Sequence, residues 1–267
     1  MLLQFFSFLI KTNFPTLPVQ QLYFTWLLVI GLLFGNESYT QNRLHFEHLS
    51  LGDGLTYNTI LSICQDKRGY MWFGTPYGLN QYDGYEFKAF RHNPTDSTSI
   101  DHNYVSAIFE DSQERLWIGT LNGLNRFDRK LGIFIHYALT AASKNADFSG
   151  GINKIIETKD GKIWLTTNEV LQEFNPDNNQ FSTYIPKDKA GNYLGEISEL
   201  FEDSRQNLWI CTRAGIRLFD RQQKRFSNPL NDFNQNKSNN VKFFLTMVED
   251  LSGNLWVASR GGWYQKI

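Results

Sequence analysis

Five copies of one tryptophan-centred unit constrain the fold of this chain more than any other feature of the sequence. The tryptophans recur at separations of 45, 47, 45 and 47 residues: Trp72, Trp117, Trp164, Trp209 and Trp256. In four copies an aspartate precedes the tryptophan by six residues, and in four copies a glycine follows it by six. An aromatic residue follows by ten in the first four copies: Tyr82, Phe127, Phe174 and Phe219. Matches at this period indicate a structural repeat of the kind that builds solenoids and propellers.

Each unit is interpreted as four short strands joined by turns. The first copy predicts strands rich in β-branched and aromatic residues at Ile60–Gln65, Tyr70–Thr75, Gly78–Tyr82 and Tyr85–Phe90. Asp66 opens a tight turn in which Gly69 is expected to take a positive φ, a role repeated by Gly161 and Gly253. The dipeptide Asp83-Gly84 predicts a two-residue hairpin.

A four-stranded antiparallel unit with this period predicts an all-β fold, a β-propeller with about five blades over residues 44–267. One blade cannot bury both of its faces, so neighbouring blades must stack around an axis. The repeated tryptophan would then fill each seam between blades, as core and not as a platform for a ligand. The recurrent aspartate is interpreted as a turn cap, because a calcium site would need more oxygen-bearing side chains. No metal, cofactor or catalytic residue is predicted.

The first forty residues differ in character from the repeats. Leu22–Phe34 is an apolar run of 13 residues, shorter than the roughly 20 that span a bilayer as a helix and suited to the core of a signal peptide. Residues 1–40 are therefore interpreted as a signal peptide, cleaved between Gly35 and Asn42, or as an anchor through residues 22–34. Either interpretation predicts a periplasmic location.

Charge and cysteine content exclude some functions. With 26 Lys and Arg against 27 Asp and Glu, the chain has no basic excess for a nucleic-acid backbone, and no nucleic-acid partner is expected. The two cysteines, Cys64 and Cys211, stand in strand-like segments and are interpreted as small buried hydrophobic residues. A disulfide between them would need an oxidising compartment and would have to bridge distant blades.

The unit follows the pattern Asp-x-x-Gly-x-(Leu/Ile/Met)-Trp-(Ile/Phe)-Gly-Thr-x-x-Gly-Leu-Asn-x-(Tyr/Phe)-Asp and resembles the two-component regulator propeller repeat. The similarity covers residues 44–267, and Phe46–Leu55 resembles the segment that opens such sensor regions. The resemblance implies the periplasmic sensor region of a hybrid two-component histidine kinase. Such proteins usually carry two seven-bladed propellers, a membrane helix and a kinase. This chain has no glycine-rich ATP box, and no helical phosphoacceptor context surrounds its histidines: His45, His48, His92, His102 and His136. No kinase activity is predicted for it.

The leading functional hypothesis is a ligand-sensing propeller that lacks the kinase part. The resemblance implies a small-molecule or oligosaccharide ligand, commonly derived from glycans. Recognition is expected in the irregular stretches between blades, since loops tolerate variation: Arg91–Ser99, Thr140–Gly150 and Asn228–Asn240. Tyr77 and Tyr104 could stack on a sugar, although ordinary half-exposed aromatic residues without a function are the favoured interpretation, and no ligand-binding residue is assigned.

Two alternatives stay open. A propeller enzyme such as a lyase would need His, Glu or Asp side chains converging at one mouth of the axis, and no repeated acid–base pair is present. A non-functional fragment of a truncated or split sensor gene is the other, because Ile267 follows Trp256 by eleven residues, before the outer strand of the last blade. That incomplete fifth blade also predicts an open ring with apolar faces on blades one and five. Remaining sensor segments or a homodimer partner would cover those faces.

Overall fold

The computed structural model describes residues 46–139, 151–228, 244–259 and 262–264. The chain divides into two units, Met1–His48 and Leu49–Ile267, and the strands all belong to the second. The expected signal peptide or anchor at residues 1–40 lies outside the described residues. So do the expected recognition loop Thr140–Gly150 and almost all of Asn228–Asn240. In the part of the chain that is described, no helix has the length and apolar character to cross a membrane.

Within the described residues, nineteen strands form five antiparallel sheets, which are the five blades. The strands of blades one and two are β1 (Ser62–Gln65), β2 (Met71–Thr75), β3 (Gly78–Tyr82), β4 (Phe87–Phe90), β5 (Val105–Glu110), β6 (Leu116–Thr120), β7 (Gly123–Asp128) and β8 (Ile133–Ala138). Those of blades three and four are β9 (Lys154–Glu157), β10 (Ile163–Thr166), β11 (Leu171–Asn175), β12 (Gln180–Tyr184), β13 (Ile197–Glu202), β14 (Leu208–Thr212), β15 (Gly215–Asp220) and β16 (Arg225–Ser227). Blade five has β17 (Phe244–Glu249), β18 (Leu255–Ser259) and β19 (Gly262–Tyr264). A single 3₁₀ turn, Leu51–Asp53, precedes the first blade.

Within each blade the strands pair with their neighbours in chain order, and each recurring tryptophan lies on the second strand. The positive φ expected for the turn glycines is confirmed at 91° for Gly69, 78° for Gly161 and 78° for Gly253. In blades two and four the same turn places a residue with a side chain in this left-handed region, Glu114 at 61° and Gln206 at 65°.

The hairpin predicted at Asp83-Gly84 is wrong in length. Tyr82 pairs with Phe87, which leaves four residues in the connection. The Asp83 carboxylate accepts hydrogen bonds from the backbone N–H groups of Tyr85 and Glu86, both at 2.8 Å. This side-chain turn competes with the two-residue hairpin because an aspartate can cap a longer loop by itself.

A separate hydrophobic cluster fills each of the four seams between blades. The first three tryptophans are at most 1% exposed, and Trp209 is 7% exposed. The first three indoles each meet an aromatic ring of the next blade edge-on, with centroids 5.4 Å apart for Trp72 and Phe127 and 5.5 Å apart for both Trp117 and Phe174 and Trp164 and Phe219. The predicted role of the tryptophan as seam core is confirmed.

The blades form an open arc. Their first strands, β1, β5, β9, β13 and β17, contact one another in chain order. Among the strands that the structure describes, no comparable contact joins the first blade to the fifth. Trp256 of blade five is 38% exposed, which agrees with a seam that has no second side. The predicted open propeller of about five blades is confirmed.

The two cysteines are free thiols on blades one and four. Cys211 is buried as expected, and burial raises the pKa of its thiol to about 12. Cys64 is only half-buried at the edge of the first seam, so it is less buried than the sequence analysis predicted.

Candidate ligand-binding face

The connections between strands lie at two opposite rims of the propeller. Because strands alternate in direction, the turn from the first to the second strand of a blade lies at one rim. The turn from the second to the third strand and the connection to the next blade lie at the other. We call the first the turn rim and the second the loop face. Arg91–Ser99, the expected recognition loop that lies within the described residues, connects blades one and two at the loop face.

At the turn rim the repeated aspartates serve the fold. In four blades one carboxylate oxygen accepts a hydrogen bond at 2.8 Å from the tryptophan indole: Asp66 to Trp72, Asp111 to Trp117, Asp203 to Trp209 and Asp250 to Trp256. The other oxygen accepts from the backbone N–H groups two and four residues later. The predicted turn cap is confirmed. The hydrogen bond from the indole is a second reason why the aspartate stands six residues before the tryptophan. Blade three has Thr158 instead, and the Trp164 indole N–H has no acceptor.

A row of glutamates at the same rim joins neighbouring blades and was missed from the sequence. Each stands one residue ahead of the capping position, and its carboxylate accepts from a backbone N–H of the preceding blade: Glu110 from Lys67, Glu157 from Ser112, Glu202 from Lys159 and Glu249 from Ser204. Alignment of the repeats could have revealed these glutamates, since an acidic residue recurs at this position in four copies. These carboxylates are engaged in holding blades together.

The two tyrosines that the sequence suggested for sugar stacking have different surroundings. Tyr77 is 56% exposed in the turn between β2 and β3, and its ring centroid lies 4.7 Å from that of Tyr57, which is 40% exposed. Tyr57 was not foreseen, because it precedes the first strand and no repeat position marks it. Tyr104 is half-buried ahead of β5, and no ring contact joins it to this pair within the described residues.

The loop face of blade four contains a cavity of about 470 Å³. This volume lies within the roughly 300–1,000 Å³ typical of small-molecule sites. Its lining combines three charged residues of the connection from blade three with apolar and polar groups of blade four: Lys187, Asp188, Lys189, Ala190, Leu194, Arg217, Phe226, Ser227 and Asn228. Asn228 belongs to one of the loops predicted for recognition, whereas the rest were not foreseen.

Arg217 on β15 is the most buried charged residue of this lining, at 8% exposure. Its guanidinium donates to the backbone carbonyls of Ile216 at 2.8 Å and Ala214 at 2.9 Å. Burial lowers the pKa of Arg217, and the negative charge of Asp188 acts in the opposite direction. No carboxylate lies within ion-pair distance of Arg217 in the described parts of the chain.

The Asp188 carboxylate is already engaged within its own loop. It accepts hydrogen bonds from the backbone N–H groups of Ala190 and Asn192 and from the Asn192 side chain, at 2.8–2.9 Å. The bond from the Asn192 side chain is the main cause of its lowered pKa. Across the described residues, no cluster of three or more His, Cys, Asp and Glu side chains is arranged to hold a metal ion.

Comparisons with known proteins agree with this fold. The family model for the two component regulator propeller matches residues 54–77 and 99–122. Histidine kinase P4 of Formosa agariphila is 42% identical over 73 residues, which cover 27% of this chain and 5% of that kinase. The chain therefore spans a small part of the curated relative that it matches.

Two solved structures are similar in fold. The extracellular domain of a B. thetaiotaomicron protein named as a hybrid two-component system superposes with a TM-score of 0.59 at 22% identity, over 76% of this chain and 28% of that one. Virginiamycin B lyase from Staphylococcus aureus superposes with a TM-score of 0.53 at 17% identity, over 77% and 68%. At these identities the likeness concerns the fold alone. The chain is therefore similar to two-component regulator propeller repeats over residues 54–77 and 99–122, within a propeller fold.

Proposed function

We propose that this chain is the extracytoplasmic sensor propeller of a two-component system and binds a small, glycan-derived ligand at its loop face, without a kinase activity of its own. The observation that carries the proposal is the cavity of about 470 Å³ at the loop face of blade four, which is lined by the connection from blade three and by residues of β15 and β16. Its lining mixes apolar side chains with hydrogen-bonding and charged groups, as small-molecule sites do. The kinase relative supports a signalling role.

Binding can be tested directly. The purified full chain is titrated by calorimetry with a panel of neutral and acidic mono- and oligosaccharides, and the ligand is recovered afterwards and analysed by mass spectrometry. We expect saturable binding of at least one saccharide, which is recovered unchanged. Recovery of a cleaved or eliminated sugar would support the lyase alternative, and absence of binding across the panel would contradict the sensor proposal.

The proposed location is the periplasm, after removal of residues 1–40 or with anchoring through residues 22–34. The apolar run and the extracellular origin of a similar structure support this. Fractionation of cells that express the chain should recover it outside the cytoplasm. N-terminal sequencing distinguishes the two forms, since the cleaved form begins between Gly35 and Asn42. Recovery of the intact chain from the cytoplasm would contradict export.

A further inference from the structure

Arg217 occupies a repeat position that the first three blades fill with a neutral amide. Eight residues after the tryptophan, blades one and two have asparagine, blade three has Gln172 and blade four has Arg217. The asparagines have a clear structural task. Asn80 exchanges hydrogen bonds with Thr56 at 2.7 and 2.9 Å, and Asn125 does the same with Asp101 at 2.8 and 3.2 Å. Each thus ties its blade to the segment that leads into it.

Blade four does not use this position in the same way, since Arg217 donates to backbone carbonyls of its own strand and turn. In blades one and two, the partner of the asparagine directly follows a buried aliphatic residue, Leu55 or Ile100. In blade four the buried aliphatic residue is Leu194, and Gly195 follows it, which has no side chain to accept a hydrogen bond. Gly195 is required there, since its φ is +84° and a Cβ would lie 2.7 Å from the Arg213 Cβ.

The consequence is a desolvated cation with unused hydrogen-bonding capacity. A guanidinium has five N–H donors, and the two hydrogen bonds of Arg217 are to backbone carbonyls, which carry no charge. Burying a charge is costly unless a counter-charge accompanies it. In blades one and two, asparagine fills the structural role of this position. That role does not require the positive charge of an arginine.

The surroundings of Arg217 add positive charge. Lys187 and Lys189 are exposed and line the same cavity. Among the described residues of the lining, Asp188 is the only carboxylate, and its loop already engages it with three hydrogen bonds. Leu194 and Phe226 supply apolar surface in the same lining.

We propose that the blade-four cavity binds an acidic saccharide through its anionic group, with Arg217 as the principal anion-binding residue and Lys187 and Lys189 as supporting charges. The inference rests on the proposed sensor function and names the ligand class of that site. A planar guanidinium recognises carboxylate and sulfate oxygens with charge-assisted hydrogen bonds. The carbon face of the sugar ring then packs against the apolar part of the lining.

The test compares matched charged and neutral sugars. The full chain is titrated by calorimetry with D-glucuronate, D-glucose 6-sulfate, inorganic sulfate and uncharged D-glucose. We expect one of the two acidic sugars to bind at least tenfold more tightly than glucose, and the better of the two identifies the anionic group. Inorganic sulfate should bind weakly, since it lacks the ring.

Three variants locate the site. Arg217→Gln should weaken binding of the acidic sugar at least tenfold while leaving that of glucose within about twofold. The double variant Lys187→Gln/Lys189→Gln keeps the hydrogen bonds of Arg217, and it should weaken acidic-sugar binding severalfold and flatten its salt dependence. Arg225→Gln removes the same charge from an exposed position of β16 outside the cavity lining and should bind as the wild type does.

The outcomes separate this inference from the sensor proposal. If neutral saccharides of the wider panel bind and neither acidic sugar is preferred, the anion site is wrong and the sensor proposal stands. If no saccharide binds at all, both fail. Thermal melting of Arg217→Gln establishes whether it folds. If it does not, the lysine double variant decides, and unchanged acidic-sugar affinity in that variant would overturn the inference.

Discussion

In four blades one aspartate carboxylate connects a surface turn to a buried indole. Asp203 accepts from the Trp209 indole, from the Asn207 side chain and from two backbone N–H groups, and it is only 5% exposed. Blade three shows what happens without it. Thr158 bonds to the Asp160 carboxylate and to the Lys162 carbonyl, and its side chain makes no bond to Trp164. The chain thus contains an internal comparison between the two arrangements.

Replacing Asp203 by alanine should be strongly destabilising. The substitution leaves a buried indole N–H and two turn N–H groups without their acceptor, at a cost of about 2–4 kcal/mol in the free energy of unfolding. Thr158→Ala is the matched control and should cost less than about 1 kcal/mol, since the indole of its blade already lacks an acceptor. Urea unfolding followed by tryptophan fluorescence measures both. Equal costs would show that the carboxylate–indole bond contributes nothing.

The Asp203 carboxylate should make stability depend on acid pH. Burial alone would raise the pKa of Asp203, but the hydrogen bonds from Trp209 and Asn207 outweigh it and hold the pKa below its ordinary value of 3.8. A group with a lowered folded-state pKa stabilises fully above its unfolded pKa and loses that contribution as pH falls through the folded value. Unfolding free energy should therefore fall below about pH 4. Asp203→Asn should show a shallower fall in urea titrations at pH 7, 4 and 3, and an unchanged pH profile would contradict the prediction.

Residues that recur could be interpreted from the sequence, and residues that depart from the repeat could not. The six-residue step from Asp66 to Trp72 was visible because it recurs, although its meaning as a hydrogen bond needed coordinates. Nothing in the sequence indicated the proposed role of Arg217 in ligand binding. That role depends on Gly195, which has no side chain, and on a cavity whose lining comes from segments far apart in the chain. Periodicity exposes the shared core, whereas recognition depends on single exceptions.

At the scale of the blade, the seams alternate in chemistry. The seams after blades one and three carry an arginine clamp: Arg129 contacts Asp66 at 2.5 Å and Glu110 at 2.6 Å, and Arg221 contacts Glu202 and lies 3.7 Å from Asp160. The seams after blades two and four carry a serine that donates to a backbone carbonyl of the next blade, Ser106 to Ile152 and Ser198 to Phe244. The tryptophan separations of 45, 47, 45 and 47 residues alternate with the same two-blade period. The contacts at the seams could not be foreseen from this spacing.

The seam tryptophans should differ in energetic weight according to whether a following blade covers them. Trp117 is fully buried against Phe174 and Tyr137, and Trp117→Ala should cost about 3–5 kcal/mol in unfolding free energy. Trp256→Ala is the matched control on blade five, where the indole is 38% exposed, and it should cost no more than about half as much. Urea unfolding of the two variants provides the comparison. Equal costs would mean that Trp256 is covered in solution.

At the scale of the whole molecule, both ends of the arc present half of a seam. On blade one, Met71 and Phe73 are half-buried and Ile63 is 59% exposed, whereas the leucines and isoleucines at the matching places of β6, β10 and β14 are buried. On blade five, Val248 and Trp256 pair directly across β17 and β18, and both face away from blade four. The sequence predicted these bare faces correctly, because a repeated half-seam needs a neighbour on each side.

The apolar face of blade five should make the chain self-associate. The patch consists of Leu245, Val248 and Trp256, which are 44%, 53% and 38% exposed, and contiguous apolar surface of this kind drives association. Sedimentation velocity of the full chain over a hundredfold concentration range should show a rising weight-average mass. Val248→Lys places a charge at the centre of the patch and should shift the distribution toward the monomer.

The matched control for this last experiment is Leu131→Lys, which introduces the same charge at a residue of blade two that is 66% exposed and lies outside the seams. The apolar run at residues 22–34 is common to all three proteins, so any association that it causes cannot produce a difference between the variants. We expect Leu131→Lys to associate as the wild type does. A wild-type chain that stays monomeric at every concentration would contradict the prediction. Equal association of both variants would move the contact away from blade five, to the bare face of blade one or to another surface.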